Sequence, residues 1–307
     1  MSDEKLNIIC PGQGAQHIGM GKAWAQNSPA AQDIFQQAND ILNIDLQKIC
    51  FDGPEHQLNK TDIAQAALYT ASVASFRGLL EKQVIAENML ASVSGLSLGE
   101  FTALHIAGAY DFKTGLKLVR LRGQAMQNAA DNSQGSMVAL IGAEKEQAID
   151  LCDKARGQGV LVPANFNCPG QIVISGDIHA CNRALEVAKE IGLRATALKV
   201  AGAFHSPLMQ PAADRLEAAL DDATWKKPQI TVISNVTAEP HPHDIPSIKS
   251  KLVQQLTSPV RWGQSMDYTR NNIPGQFIEL APNKVLSGLM RRIDRKTKVI
   301  NYATPPA

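Results

Sequence analysis

One pentapeptide constrains the fold of this chain more than any other stretch: Gly95-Leu96-Ser97-Leu98-Gly99. A short apolar run, Met89 to Val93, precedes it, and a helical pattern from Gly99 through Ala107 follows. A GxSxG between a strand and a helix reads as a nucleophile elbow, in which the glycines permit a sharp turn and leave the serine exposed. At a helix start the unpaired N–H groups and the helix dipole favour a developing negative charge. The same pattern also arises by chance at strand-to-helix turns, so the rest of the chain has to supply the remaining chemistry.

The surrounding pattern predicts an α/β fold. Leu6 to Cys10 reads as a buried strand running into the turn Pro11-Gly12-Gln13-Gly14. Ala66, Tyr69, Val73, Phe76 and Leu80 recur at steps of three and four, which is helical spacing, and another helix is predicted from Phe112 to Ala129. The polar segment Asp131-Asn132-Ser133-Gln134-Gly135 marks a change of texture. Beyond it come strand Met137–Ile141, helix Glu144–Ala155, strands Val160–Ala164 and Ile172–Ser175, helix His179–Ile191 and strand Arg194–Leu198. That βαββαβ order is the split, ferredoxin-like unit. Helix Pro211–Leu220, strand Ile230–Ile233, helix Ile248–Leu256, strand Gln276–Leu280 and helix Lys284–Ile293 follow, an alternation that predicts a mainly parallel sheet between helices. The expected architecture is a large α/β-hydrolase-like domain (residues 1–130 and 200–307) interrupted by a small ferredoxin-like subdomain (131–199), with the active site between them. Thr304-Pro305-Pro306-Ala307 reads as a frayed tail.

Composition removes several function classes. Thirty Lys+Arg against 29 Asp+Glu give a net charge of +1, unlike a protein built to grip nucleic acid. The acidic start Met1-Ser2-Asp3-Glu4-Lys5 lacks the apolar core of a secretory signal, and no stretch approaches the ~20 apolar residues of a membrane helix. Five scattered cysteines without a CxxC pair predict reduced, buried thiols, and the expected compartment is the cytoplasm.

A serine hydroxyl needs a base. Of seven histidines, His205 in Ala203-Phe204-His205-Ser206-Pro207 is the best placed, predicted at the end of a strand-like run where it can face the same sheet edge as Ser97. His105 follows the elbow on its helix and is expected to pack there. His241 and His243 form an HxH in a Pro/His loop, but no carboxylate or cysteine cluster accompanies them, so no metal is expected.

Taken together, these segments resemble the malonyl-CoA:acyl carrier protein transacylase family over about residues 5–295. The resemblance is carried by Pro11-Gly12-Gln13-Gly14-Ala15-Gln16 with Gly19-Met20-Gly21, by Gly95-Leu96-Ser97-Leu98-Gly99-Glu100, and by Arg122-Gly123-Gln124-Ala125-Met126. Asn165-Phe166-Asn167-Cys168-Pro169-Gly170-Gln171 and Phe204-His205-Ser206-Pro207-Leu208-Met209 complete it. It implies a Ser97–His205 dyad, the backbone carbonyl of Gln255 orienting the histidine, and an oxyanion hole from the N–H groups of Gln13 and Leu98. Arg122 would bind the malonyl carboxylate through two parallel hydrogen bonds, a task arginine performs and lysine does not. Met126, one turn on, resembles a pocket-lining residue, although a core role also fits. Phe204 implies selection for malonyl over methylmalonyl, because in related polyketide acyltransferases a bulky residue there accompanies malonyl. No cofactor is implied. The partners are malonyl-CoA and an acidic acyl carrier protein, steered by one of two basic clusters: Arg291, Arg292, Arg295, Lys296 and Lys298, or Lys113, Lys117 and Arg120. Two departures stand out. Leu96 occupies a position where the family usually has histidine, and Phe204 replaces the small residue of many fatty-acid members. The competing reading is a serine acyl hydrolase, against which stands the absence of a late catalytic histidine other than His241 and His243. A non-catalytic docking subunit is a second alternative, opposed by the intact Ser97, His205 and Arg122.

Overall fold

The computed structural model describes residues 5–306; the first four residues of the acidic start, and Ala307 of the tail, lie outside it. β1 (Leu6–Cys10) is buried along its whole length, as expected of a strand covered on both faces by helices. β2 (Leu90–Gly95) lies parallel to it, and their ends come level where Cys10 pairs with Gly95. Between them runs the helix Thr61–Glu81, small-residue-rich and buried nearly all round, which packs against the helix Phe112–Asp131. These two helices carry one wall of the site.

β3 (Gly135–Ile141), β4 (Leu161–Cys168), β5 (Gln171–Asp177) and β6 (Arg194–Ala197) form a separate antiparallel sheet in the order β4-β5-β3-β6. With the helices Lys145–Ala155 and Ile178–Glu190 this is the ferredoxin-like βαββαβ arrangement. Strand alternation divides its side chains between two cores. Val138, Leu140, Ile172 and Ile174 pack under its own helices, whereas Met137 and Val173 face the main core. That second face is what the sheet turns toward the serine. The β4 edge is tied to the larger layer through Val260, which accepts from the Phe166 N–H and donates to the Ala164 carbonyl. The local irregularities at Pro163/Asn165 and Phe166/Cys168 accompany that junction.

β7 (Thr231–Val232), β8 (Gln276–Leu280) and β9 (Val299–Tyr302) complete the parallel sheet, ordered β7-β2-β1-β8-β9. The fold class is as expected, and the helix Trp262–Asn272 and the edge strand β9 are additions in the C-terminal third. The tail is not wholly frayed. The Tyr302 carbonyl accepts from the Trp24 indole at 2.9 Å, and Pro305 and Pro306 are half-buried. No helix among the described residues is long and apolar enough to cross a membrane.

Candidate active site

The elbow is built by close approach. A Cβ on Gly95 would fall 1.9 Å from the Gly99 carbonyl carbon, so the strand enters the helix through a turn that only glycine fits. Ser97 sits at its apex with φ 52° and ψ −103°, a conformation costing about 1–3 kcal/mol that the surroundings must hold. They hold it through Asn235, just beyond β7. Its Oδ1 accepts from the Ser97 N–H at 2.7 Å, and its Nδ2 donates to the Gly95 carbonyl at 2.7 Å. The turn after β1 is pressed onto the elbow as well: a Cβ on Gly12 would lie 2.3 Å from the Leu96 carbonyl oxygen. That contact brings Gln13 beside Ser97. Leu98 opens the helix Leu98–Ile106, so its N–H has no acceptor within the helix.

His205 lies in a turn, not at a strand end. β6 ends at Ala197 in the other sheet, and His205 adopts φ 56° just before the short 3₁₀ turn Pro207–Met209. Its Nδ1 is 2.8 Å from the Gln255 carbonyl and its Nε2 is 2.9 Å from Ser97 Oγ. A carbonyl only accepts, so Nδ1 carries the proton and Nε2 presents its lone pair to the serine hydroxyl. Burial, reinforced by the nearby Arg122 charge and opposed by the Gln255 carbonyl, lowers the imidazole pKa from 6.5 to about 4. The ring is therefore neutral, and basic at Nε2, at ordinary pH.

Arg122, on the helix Phe112–Asp131, is 1% exposed. Its Nη1 donates to Gln65 Oε1 (2.8 Å); its Nη2 donates to Gln255 Oε1 (2.8 Å) and Ser97 Oγ (3.0 Å). Burial lowers its pKa to about 10, a fall opposed by the Glu100 charge, so the group remains a cation. None of the ion pairs among the described residues includes it. A fully buried guanidinium with only neutral partners is costly unless an anion joins it.

Ser97 and His205 line a cavity of about 430 Å³ between the two sheets, and Arg122 is buried behind Ser97. Gln13, Met126, Phe204 and Leu96 border it from the larger layer, and Met137, Asn165, Asn167 and Gln171 from the antiparallel sheet. Met126 belongs to both descriptions given for it: it is 2% exposed, belongs to the main core and lines the cavity, where its sulfur accepts from Gln65 Nε2 at 3.3 Å. His105 packs edge-on against Tyr69 and Phe112.

Sequence reasoning missed Gln65, Asn235, Glu100 and His241. His243 is exposed, but His241 is buried and sits 2.6 Å from the fully buried Glu100. It is therefore no partner of His243, and it lies beneath the elbow instead of in a free loop. A polar Asn directly after a parallel strand was the one available signal for Asn235. The others are joined only by the tertiary fold.

Residues 8–303 match the acyl transferase domain model. A malonyl CoA-acyl carrier protein transacylase of Bacillus subtilis is 41% identical over 98% of this chain and 94% of its own length. The crystal structure of a malonyl-CoA:acyl carrier protein transacylase from Xanthomonas oryzae superposes with a TM-score of 0.94 at 40% identity, covering 99% of this chain and 96% of that one. A malonyl-transacylase solved in complex with a type II polyketide acyl-carrier protein gives 0.93 at 37%, covering 98% and 96%. On this likeness across nearly its whole length, the chain belongs to the malonyl-CoA:acyl carrier protein transacylase family.

Proposed function

We propose that this enzyme transfers the malonyl group of malonyl-CoA to the phosphopantetheine thiol of an acyl carrier protein, through a malonyl ester on Ser97. The observation that carries this reading is the buried Arg122 cation, without a carboxylate partner and 3.0 Å from Ser97 Oγ. A donor acyl group ending in a carboxylate supplies the missing anion at the right distance from the nucleophile.

The chemistry runs in two symmetrical halves. Ser97 Oγ attacks the thioester carbonyl as its proton passes to His205 Nε2. The N–H groups of Gln13 and Leu98 receive the oxyanion, each such donor being worth about 3–4 kcal/mol. Collapse breaks the C–S bond, and His205 returns its proton to the departing CoA thiolate. The carrier thiol then gives its proton to His205 and attacks the ester, and Ser97 leaves reprotonated. The Gln255 carbonyl holds the imidazole tautomer throughout, so no triad carboxylate is required. Phe204 crowds the space beside the acyl α-carbon and favours malonyl over a branched homologue.

The carrier approaches over the basic end of the helix Val285–Ile293. Val285 and Leu289 of that helix line the active-site cavity, and Arg292 donates to Gln171, which lines it too. Of the other cluster, Arg120 is paired with Asp62 at 3.0 Å. The site lies between the larger layer, residues 1–130 and 200–307, and the 131–199 insertion, and we treat these as the two structural units. The test is Ser97→Ala: acyl-enzyme formation and the ping-pong pattern of initial rates should both disappear. Persistence of a covalent malonyl adduct in that variant refutes the nucleophile assignment.

A further inference from the structure

We propose that Glu100, paired with His241, is a positioning residue for Arg122: it fixes the Gln255 amide so that Oε1, and not Nε2, faces the guanidinium. Gln255 is the hub of the site, and each end of it does a different task. Its backbone carbonyl orients His205, its Oε1 accepts from Arg122, and its Nε2 donates to Glu100 Oε2 at 2.6 Å and to the Ser97 carbonyl at 3.0 Å. A side-chain amide offers two nearly isosteric orientations, and its partners choose between them. Reversing this one would set NH₂ against the Arg122 donors and set oxygen against the Glu100 carboxylate and the Ser97 carbonyl. Glu100 is therefore the strongest acceptor enforcing the orientation that Arg122 needs.

Glu100 is itself held from three sides. Oε2 also accepts from the Asn235 N–H at 3.2 Å, and Oε1 meets His241 Nε2 at 2.6 Å. An ionised carboxylate only accepts, so His241 carries its proton on Nε2. The residue is anchored beside β7 through its main chain, the His241 backbone N–H donating to the Val232 carbonyl at 2.8 Å. Glu100 is 0% and Gln255 0% exposed, so no water competes for these contacts.

The inference rests on the reading of Arg122 as the malonyl carboxylate site, and the experiment separates the two. Single-turnover acylation is measured with malonyl-CoA and with acetyl-CoA, whose neutral acyl group makes no use of the guanidinium. Glu100→Ala should lower the malonyl-over-acetyl preference at least tenfold. Glu100→Gln should recover it to within about threefold of the native enzyme. Its carbonyl can accept from Gln255 and Asn235, and its NH₂ can donate to His241 Nε2 once that ring changes tautomer. The ¹⁵N shifts of His241 should report that change. Equal loss with both donors in Glu100→Ala, or a Glu100→Gln enzyme as unselective as the alanine variant, overturns the proposal. Should the alanine variant not fold, Glu100→Gln decides: native-like preference with the swapped tautomer supports it, and a tenfold loss refutes it. Arg122→Ala is the reference. If it keeps the malonyl preference, the carboxylate reading has failed. If it loses the preference while Glu100→Ala does not, only the positioning role has failed.

Discussion

Arg122→Ala tests the acyl-recognition argument at its source. In the proposed reading the fully buried Arg122 cation receives the malonyl carboxylate, and truncating one member of a buried, hydrogen-bonded charge pair costs about 2–5 kcal/mol. At about 1.4 kcal/mol per tenfold this is roughly a 30- to 5,000-fold fall in kcat/KM for malonyl-CoA. The fall should be concentrated on malonyl-CoA. Acetyl-CoA has no carboxylate to pair with the guanidinium, so its acylation should fall far less. A second signature comes from His205, whose pKa is lowered first by burial and then by the Arg122 charge. Without that charge the imidazole pKa moves back up toward 6.5, so the acidic limb of the acylation rate shifts to higher pH. Stopped-flow or quenched acylation with both donors, between pH 4 and 8, reads both effects. If the two donors lose rate by the same factor, the carboxylate assignment is wrong. If only malonyl-CoA is affected but the limb does not move, the electrostatic coupling of Arg122 to His205 is wrong.

Four further outcomes are expected. In the native enzyme the acylation rate should stay flat as pH falls through 6.5 and drop only near 4, where His205 gains its proton; a limb at 6.5 contradicts the burial argument. The same depressed pKa makes stability fall with pH between 6.5 and 4, because the unfolded chain binds a proton that the folded one refuses; this is worth about 3 kcal/mol by pH 4 and is read from urea midpoints of native enzyme against His205→Gln. Phe204→Ala should raise the use of methylmalonyl-CoA relative to malonyl-CoA at least tenfold in competition assays, and an unchanged ratio removes Phe204 from acyl selection. Arg291→Glu with Arg295→Glu, both exposed, should raise the carrier KM several-fold, more at low salt than at high salt; a carrier KM that does not move places docking elsewhere.

Local signals carried much of this molecule. The apolar run of β1, the GxSxG and the βαββαβ periodicities are contained in windows of a few residues, and the observed bounds differ from the expected ones mainly by frayed ends. β9 escaped because it is an edge strand whose four residues are half-exposed or exposed and follow a charged stretch, so no apolar run marks it. The helix Trp262–Asn272 escaped because polar residues outnumber the four it buries. The apolar pair Ala203-Phe204 reads as the end of a strand before His205, but those side chains serve the core and cavity from a turn. The interior network was the least legible part. Glu100, Asn235, His241 and Gln255 meet across separations of up to 158 residues from the elbow, and each is an ordinary polar residue in its own neighbourhood.

The central claim is a malonyl ester on Ser97, chosen by a buried arginine. Its most direct test is mass spectrometry of the intact protein and its peptides after brief exposure to an equimolar mixture of malonyl-, methylmalonyl- and acetyl-CoA. The account predicts one dominant adduct, the malonyl group, on the peptide containing Ser97. A dominant acetyl or methylmalonyl adduct, or malonyl carried by another residue, contradicts it.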